Sequence, residues 1–390
     1  MTRGAVRSKR TLAGLVVLFT GAAAWQAPAG EAAAAVAGRC STSVPFRSGN
    51  SGYHTFRIPA VLRIGKSTVL AFAEGRRNSA DDEGDIDTVL RRSLDGGCTW
   101  QPMRVIARGG GETFGNPTPV ADPKTGRIVL LLCRTVGRLT KAQLSGSSKA
   151  VYDARQVWEL HSDSGGAKWS APRQITQSVK PDNWRWYATG PGHAIALRNG
   201  PHAGRLLVPA NHTAVVNGQV VHGAHSLYSD DHGRTWHIGF VEEIPGGWIN
   251  LNETTMAELP DGRVYINSRD DGGFSNASRA NAYSSDGGES VEGTFEPQEA
   301  IEGPVVQGSV LQLPGGPLLY SGPSDPGARA AMEIRASDDD GTYWEPSLLM
   351  SSHPAAYSDL VDLGGGTVGL LYETGTSSPY ETLTFARFTT

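Results

Sequence analysis

The stretch SLDGGCTW, residues 93–100, is repeated further along the chain. It returns as SDDHGRTW at 229–236 and, with one change, as SDDDGTYW at 337–344, so the shared pattern is S-x-D-x-G-x-T-W. Serine and aspartate side chains can bond to the backbone N–H groups of a tight turn, glycine supplies a positive φ, and the tryptophan can pack back against a sheet. We therefore interpret the phrase as a structural hairpin turn.

Two weaker copies lie between these three. SDSGGAKW at 162–169 has Ser164 where aspartate is expected, and SSDGGESV at 284–291 ends in Val291. Successive copies begin 69, 67, 55 and 53 residues apart, and each interval has room for four short strands. A four-stranded antiparallel unit repeated in this way closes into a β-propeller, and about 350 residues at roughly 60 per unit predict six blades.

The composition agrees with an all-β chain. Its 390 residues include 49 Gly and 23 Pro, and its apolar runs are short, as in TVLAFAE, RIVLLLCR and TVGLLYET. Turn pairs such as Asp261-Gly262 precede many of them, as hairpins require. We predict an all-β, six-bladed β-propeller whose blades are four-stranded and antiparallel.

The sequence offers little for a metal or a cofactor. The S-x-D-x-G core of the repeated phrase is similar to the D-x-D-x-G start of a calcium loop, which is the alternative, but the glutamate at the twelfth position and the intermediate ligands are missing. Ten histidines are dispersed, and Cys40, Cys98 and Cys133 are too scattered for a zinc site or a disulfide scaffold. We expect no metal, no cofactor and at most one disulfide.

The N-terminus reads as a secretory signal peptide. Basic residues precede the apolar segment LAGLVVLFTGAAAW, and AAAAVAG follows with an A-x-A cleavage pattern. An uncleaved anchor is the alternative, but a bilayer span needs roughly 20 apolar residues and this segment is shorter. We predict a signal peptide at 1–37, one domain at 38–390, secretion, and no membrane anchor.

The formal net charge is −4, from 35 basic and 39 acidic residues. Because the two signs are mixed along the chain, we expect no basic surface for nucleic acid or for an anionic membrane. We expect a monomer.

The repeated phrase resembles the Asp-box of the sialidase (neuraminidase) superfamily, and FRIP at 56–59 is similar to the N-terminal signature of that family. The resemblance runs from about residue 45 to the C-terminus. It implies a retaining exo-α-sialidase that releases terminal sialic acids from glycoproteins, glycolipids and oligosaccharides. The predicted domain at 38–390 would then be its catalytic domain.

A sialoside carries a carboxylate on its anomeric carbon, and the planar fork of arginine is well suited to bind it. The resemblance assigns this task to Arg57, to Arg269 in YINSRDDGG and to Arg329 in YSGPSDPGARAAMEI. Arg335 lies close to Arg329 in the same segment and is the alternative.

The resemblance also implies a tyrosine nucleophile and a glutamate that activates it. Tyr372 in LLYETG and Glu253 in NLNETTMAEL match these positions. A neutral phenol can approach a substrate whose own carboxylate would repel an anionic nucleophile, and it needs a base because its usual pKa is near 10.

The general acid is assigned to the acidic loop RRNSADDEGDIDT, where Asp82 matches the family's aspartate and Asp81 is the alternative. Crowding by neighbouring carboxylates is expected to raise its pKa. Further contacts to the sugar are assigned to Arg76, with Arg77 as the alternative, and to Asn116 and Tyr187, the last of these in a segment that also holds His193.

Other functions stay open at this stage. A trans-sialidase or an intramolecular trans-sialidase would use the same residues and differ in the acceptor it admits. A non-catalytic Asp-box propeller that binds glycans belongs to a different class, and it would be expected to lack the tyrosine, the glutamate or the acidic aspartate.

Overall fold

The computed structural model describes residues 40–146 and 150–389, and nearly all of its regular structure is β. The strands in chain order are β1 Thr42–Arg47, β2 Thr55–Ile64, β3 Thr68–Arg76, β4 Ile86–Ser93, β5 Arg104–Ala107, β6 Thr113–Ala121, β7 Ile128–Thr135, β8 Arg155–Ser162, β9 Arg173–Gln174, β10 Trp184–Thr189, β11 Ile195–Ala196, β12 Leu206–Val216, β13 Gln219–Ser229, β14 His237–Glu243, β15 Leu251–Glu258, β16 Val264–Asp270, β17 Arg279–Ser284, β18 Glu296–Pro297, β19 Ser309–Gln312, β20 Leu318–Pro323, β21 Ala330–Ser337, β22 Glu345–Gly364, β23 Thr367–Thr374 and β24 Thr382–Thr389. The helices are α1 Lys141–Leu144, α2 Ala150–Ala154 and α3 Thr176–Val179. The predicted signal peptide lies outside the described residues.

The strands form a ring of antiparallel units. The first strand of each unit contacts the first strand of the next, in the order β2, β6, β10 with β11, β15, β19 and the second half of β22, which returns to β2. Later strands of each unit pair outward from these inner strands. The chain is therefore an all-β propeller, and the count of six blades stays a prediction that this ring favours.

Hydrogen bonding joins some neighbouring units, so the ring comprises four sheets. Strand β22 is 20 residues long and pairs with β21 through its first half and with β23 through its second half. A single parallel bridge between Ile86 and Thr113 joins β4 to β6.

The ring closes through the two ends of the described chain. Strand β1 pairs antiparallel with β24, so that Thr42 lies opposite Ala386. A disulfide joins Cys40 to Cys98, with their Cα atoms 5.7 Å apart, and thereby ties the start of β1 to the turn that follows β4. Cys133 is free and buried.

The repeated phrase forms the turn that its residues predict. In the copy at 229–236, Ser229 Oγ accepts the Gly233 N–H at 2.9 Å and Asp231 Oδ1 accepts the Thr235 N–H at 2.9 Å. The serine-to-glycine bond is present in all five copies. In the weaker copy at 162–169, Ser164 Oγ takes the place of the carboxylate and accepts the Lys168 N–H at 2.8 Å.

These turns also hold neighbouring units together. Trp169 packs edge-on against Phe72 of the preceding unit, with ring centroids 5.9 Å apart. Trp344 lies against Tyr265 of its preceding unit at 6.0 Å. Gly341 approaches the same Tyr265 so closely that a Cβ on the glycine would stand 2.5 Å from the ring.

We expect Gly341→Ala to destabilise the protein through this contact. Gly341 has φ +90°, so alanine would add backbone strain and would also overlap the buried Tyr265 ring, and we expect the free energy of unfolding to fall by about 2 to 4 kcal/mol. The matched control is Gly218→Ala, at φ +80° with open space around the new methyl group, where about 1 kcal/mol is expected. Urea unfolding midpoints of the two variants measure the difference, and equal shifts would contradict the proposed contact between units.

Candidate active site

The candidate residues meet at one end of the ring, where several inner strands begin. Arg57 lies in β2, Asn116 in β6, Glu253 in β15 and Tyr357 in the second half of β22. Consecutive inner strands are neighbours around the ring axis, so residues far apart in sequence share one depression.

Arg57 is held by a buried carboxylate. Its Nε donates to Glu373 Oε1 at 3.0 Å and its Nη2 to Glu373 Oε2 at 3.2 Å, and its side chain is 8% exposed. The β2–β3 register shifts between Arg57 and Ala60, where Ile58 has φ +58°. This bulge aims the arginine at the depression, and the strained Ile58 is fixed because its N–H also donates to Glu373 at 3.0 Å.

Glu253 and Tyr357 form the central pair of the depression. The Tyr357 hydroxyl donates to Glu253 Oε1 at 2.5 Å, and both side chains are buried. Arg269 Nη1 donates to Glu253 Oε2 at 2.9 Å and lies 3.3 Å from the Tyr357 hydroxyl oxygen. Burial raises the pKa of Tyr357 well above its usual value, and the adjacent Glu253 charge adds to this effect.

The expectation that Tyr372 partners Glu253 is wrong. Tyr372 packs into an apolar cluster with Leu360 and Leu370. Its pKa is raised by burial. Side chains alternate along a strand, so the next residue, Glu373, points the other way and reaches Arg57. The partner of Glu253 is Tyr357, and the segment LLYETG contributes its glutamate to the site.

The three arginines chosen from the sequence surround the Tyr357 ring. The guanidinium carbon of Arg57 lies 4.9 Å from the ring centroid and that of Arg329 lies 5.8 Å from it, while Arg269 reaches the hydroxyl. Arg329 Nη1 donates to the Tyr380 hydroxyl at 2.9 Å. The alternative, Arg335, donates instead to the backbone oxygen of Ala300 at 2.9 Å.

Asp82 lies on the exposed side of this arginine group. Its Oδ1 is 2.7 Å from Arg76 Nη2 and 3.5 Å from Arg57 Nη1, and its side chain is 67% exposed. Partial removal from water would raise the pKa of Asp82, but the charges of Arg76 and Arg57 outweigh this and lower it. The expected rise in the pKa of Asp82 through crowding by carboxylates is therefore wrong. Asp81, the alternative, bonds to Ser79 at 2.8 Å.

Arg76 and Asn116 share a second buried carboxylate. Arg76 Nη2 donates to Glu74 Oε2 at 2.7 Å, and the Asn116 N–H donates to Glu74 Oε1 at 2.9 Å. Asn116 Oδ1 in turn accepts from Arg155 Nη2 at 2.7 Å. Arg77 turns away from the depression and pairs with Asp87.

The expected contact of Tyr187 with substrate is wrong, because its side chain is fully buried. Its ring lies 4.7 Å from that of His225 and 5.9 Å from that of Trp184. The β10–β12 register shifts between Trp184 and Tyr187, so both rings lie in the core. Trp186 is only half-buried, and its ring lies 4.2 Å from the guanidinium carbon of Arg155. A bulge of this kind leaves no signal in the sequence.

Asp271 is a further residue of the depression that the sequence reasoning missed. Its carboxylate accepts from Arg269 Nη2 at 2.8 Å, from Lys141 Nζ at 2.6 Å and from Asn252 Nδ2 at 2.6 Å. Lys141 begins α1 and thus connects that helix to the edge of the site. Its neighbour Asp270 is identical in type, so the sequence DD at 270–271 does not show which carboxylate reaches Arg269.

The described part of the chain contains neither a metal-binding cluster nor a helix that could span a membrane. Between 40 and 146 and between 150 and 389, no group of three or more His, Cys, Asp or Glu side chains is arranged to hold a metal ion. None of the helices in the same ranges is both long enough and apolar enough to cross a membrane.

Sequence comparison relates the chain to enzymes of one kind. The family described as BNR repeat-like domain matches residues 67–370. A sialidase of Micromonospora viridifaciens is 33% identical over 353 residues, which cover 87% of this chain and 53% of that protein. An exo-alpha-sialidase of Aspergillus fumigatus is 31% identical over 352 residues, covering 83% of this chain and 79% of that protein. The chain thus spans about half the length of the Micromonospora relative.

Solved structures give the same relation. The Hadza microbial sialidase Hz136 superposes with a TM-score of 0.77 at 28% identity, covering 88% of this chain and 67% of that one. An intramolecular trans-sialidase from Ruminococcus gnavus superposes with a TM-score of 0.73 at 20% identity, covering 88% and 96%. At that lower identity the likeness concerns the fold alone.

Glu373→Ala is expected to be strongly destabilising. It would leave the buried Arg57 charge without its main partner and would deprive the backbone N–H groups of Ile58 and Tyr357 of their acceptor, so we expect the free energy of unfolding to fall by about 3 to 5 kcal/mol. The control is Glu345→Ala at the exposed start of β22, where a change within about 0.5 kcal/mol is expected. Urea unfolding compares the two variants. Similar losses of unfolding free energy would contradict the proposed contribution of the Arg57–Glu373 pair to stability.

Proposed function

The chain belongs to the sialidase family of glycoside hydrolases, and we propose that it acts as an exo-α-sialidase. It would remove terminal α-linked sialic acids from glycoproteins, glycolipids and oligosaccharides. The observation that carries this proposal is the hydrogen bond from Tyr357 to Glu253 inside a group of three arginines.

The arginines would bind the carboxylate of the sialic acid. Arg57 and Arg269 each already pair with a protein carboxylate, whereas Arg329 donates to a neutral hydroxyl on Tyr380. A substrate carboxylate placed among the three would therefore gain the most binding energy from Arg329. It would also accept hydrogen bonds from the outer N–H groups of Arg57 and Arg269. Bidentate recognition of this kind fixes orientation as well as adding binding energy.

Tyr357 would be the nucleophile and Glu253 its base. As the Tyr357 oxygen bonds to the anomeric carbon, its proton passes to Glu253 and the bond to the leaving-group oxygen breaks. Asp82, protonated in the complex, would give its proton to that leaving oxygen. In the second step Asp82 takes a proton from water, the water oxygen bonds to the anomeric carbon, and the tyrosine oxygen leaves and recovers its proton from Glu253. Two displacements give retention.

The pKa of Asp82 is lowered in the free site. Asp82 can therefore act as the acid in this cycle only if the bound substrate raises that pKa. A bound sialic acid carboxylate would offset the positive charge of Arg57, which helps to lower the pKa of Asp82. The pKa of Asp82 would then rise in the complex, so that the group could hold a proton at the moment when the leaving oxygen needs one.

We further propose that residues 1–37 are a signal peptide removed on export and that residues 38–390 form the catalytic domain of a secreted enzyme. The Cys40–Cys98 disulfide supports an oxidising compartment. We propose that the enzyme works as a monomer, as expected from the sequence.

Tyr357→Phe should remove most of the activity while Tyr372→Phe should keep it. We expect kcat of Tyr357→Phe on a fluorogenic sialoside to fall about a thousandfold, because the nucleophilic oxygen is lost. Tyr372→Phe removes one hydroxyl from the apolar cluster and serves as the matched control. If Tyr372→Phe lost its activity and Tyr357→Phe kept it, the assignment of the nucleophile would be overturned.

Proton NMR of the wild-type reaction tests the stereochemistry. With an α-linked substrate, retention requires that the first sialic acid released is the α-anomer, which then equilibrates. Release of the β-anomer first would exclude a covalent tyrosine intermediate, and transfer of sialic acid to added lactose would indicate a trans-sialidase.

Binding of a carboxylate-bearing inhibitor such as the 2,3-unsaturated sialic acid should take up a proton. The pKa of Asp82 is lowered in the free site and should rise in the complex, so in the pH window between these two values affinity should increase as pH falls. Calorimetry in buffers of different ionisation enthalpy measures the uptake. Asp82→Asn should abolish it, and an unchanged pH dependence in that variant would contradict the proposal.

A further inference from the structure

Two large aromatic side chains stand exposed beside the candidate active site. Phe274 is 76% exposed and Trp248 is 54% exposed, the former in the loop between β16 and β17 and the latter in the loop between β14 and β15. Exposed apolar groups of this size that occur together on a functional face usually mark a binding surface. We call these two residues the aromatic platform.

The backbone under the platform is held in place from both loops. The Phe274 N–H donates to the Gly247 backbone oxygen at 2.9 Å, and the Ser275 N–H donates to the Trp248 backbone oxygen at 2.9 Å. Gly247 leaves room for the Phe274 ring, since a Cβ on the glycine would stand 3.2 Å from it. The two loops therefore form one short ladder that carries both aromatic groups.

A buried carboxylate fixes the same loops from below. Asp270 Oδ1 accepts the N–H groups of Asn250 at 2.8 Å and Gly273 at 2.9 Å, and its Oδ2 accepts from Ser275 Oγ at 2.6 Å. Asp270 is 2% exposed. A rigid support of this kind lowers the entropy cost of binding at the surface above it.

The platform is continuous with the site where the reaction is proposed to occur. Trp248 lies five residues before Glu253, and Phe274 lies three residues after Asp271, which holds Arg269. The Asp271 N–H also donates to the Asn250 backbone oxygen at 2.8 Å. The loop with Trp248 leads into β15, which carries Glu253, and the loop with Phe274 leaves the end of β16, which carries Arg269, so the platform stands at the edge of the depression on the same face of the ring.

We propose that Trp248 and Phe274 bind the sugar ring of the leaving group, which makes them specificity residues for sialosides linked to a pyranose. This proposal rests on the proposed sialidase function. One face of a pyranose carries a row of C–H groups, and an aromatic ring packs against it while excluding water. The hydroxyl groups of the same sugar would find charged partners in the neighbouring Lys141–Asp271 pair.

The chemistry favours a neutral saccharide as the occupant. An exo-acting enzyme holds the terminal sugar in its depression, so the next sugar must extend over the edge. Two rigid aromatic side chains beside an ion pair present both an apolar surface and polar partners at that edge, which suits a ring with an apolar face and hydroxyl groups around it.

The test compares two substrates that differ in the leaving group. Sialyllactose releases a pyranose, whereas methyl α-sialoside releases methanol, and the sialic acid formed is measured in both cases. We expect Phe274→Ala and Trp248→Ala each to lower kcat/KM for sialyllactose about fivefold to tenfold. The value for methyl α-sialoside should change less than about twofold. Phe274→Tyr keeps an aromatic ring and should retain activity on both substrates.

Tyr343→Ala is the matched control, because Tyr343 is 60% exposed in the hairpin turn at 337–344 and lies outside the two loops of the platform. It should leave both substrates unaffected. Equal losses on both substrates in Phe274→Ala, or no loss on either, would overturn the platform. If the wild type cleaves neither substrate, the proposed sialidase function itself fails, and this outcome is distinct from the failure of the platform.

Discussion

The buried ion pair between Arg57 and Glu373 is the interaction on which the candidate site depends. A guanidinium taken out of water is tolerated only with a close carboxylate and satisfied hydrogen bonds. Glu373 meets that need and also accepts the backbone N–H groups of Ile58 and Tyr357. One carboxylate therefore fixes the first inner strand, the last inner strand and the tyrosine that reaches Glu253.

A second carboxylate has a comparable role nearer the middle of the ring. Asp359 accepts the Val61 N–H at 2.8 Å, the Ser309 hydroxyl at 2.9 Å and a bond with His193 Nδ1 at 2.7 Å. Burial alone would lower the pKa of His193, but Asp359 outweighs it and raises it. Asp359 thus joins inner strands by directional bonds, which favour one arrangement of the units over slipped alternatives.

The fold could be predicted from the repeated phrase, because the Ser-x-Asp-x-Gly turn forms the same hydrogen bonds wherever it occurs. The site was less predictable. Tyr357 and Tyr372 both lie in apolar runs of adjacent strands, and only the ring geometry decides which strand lines the axis. Trp186 and Tyr187 are likewise adjacent, and a bulge that no residue pattern announces determines which of them is buried. Local turns can be read from local residues, whereas orientation toward the axis depends on the assembled ring.

The pairing of β1 with β24 has a consequence for the order of folding. Strand β1 pairs with β24, where Thr42 lies opposite Ala386. The first strand therefore cannot join its sheet until the last strand has been synthesised and has folded. Contacts between such distant parts of a chain form late, because closing the long loop between them costs entropy before the contacts can stabilise the fold. Until that moment one unit lacks its outer strand and exposes an edge that another chain could occupy. The Cys40–Cys98 disulfide links β1 to the first unit, so β1 stays close to the strand edge with which it will pair.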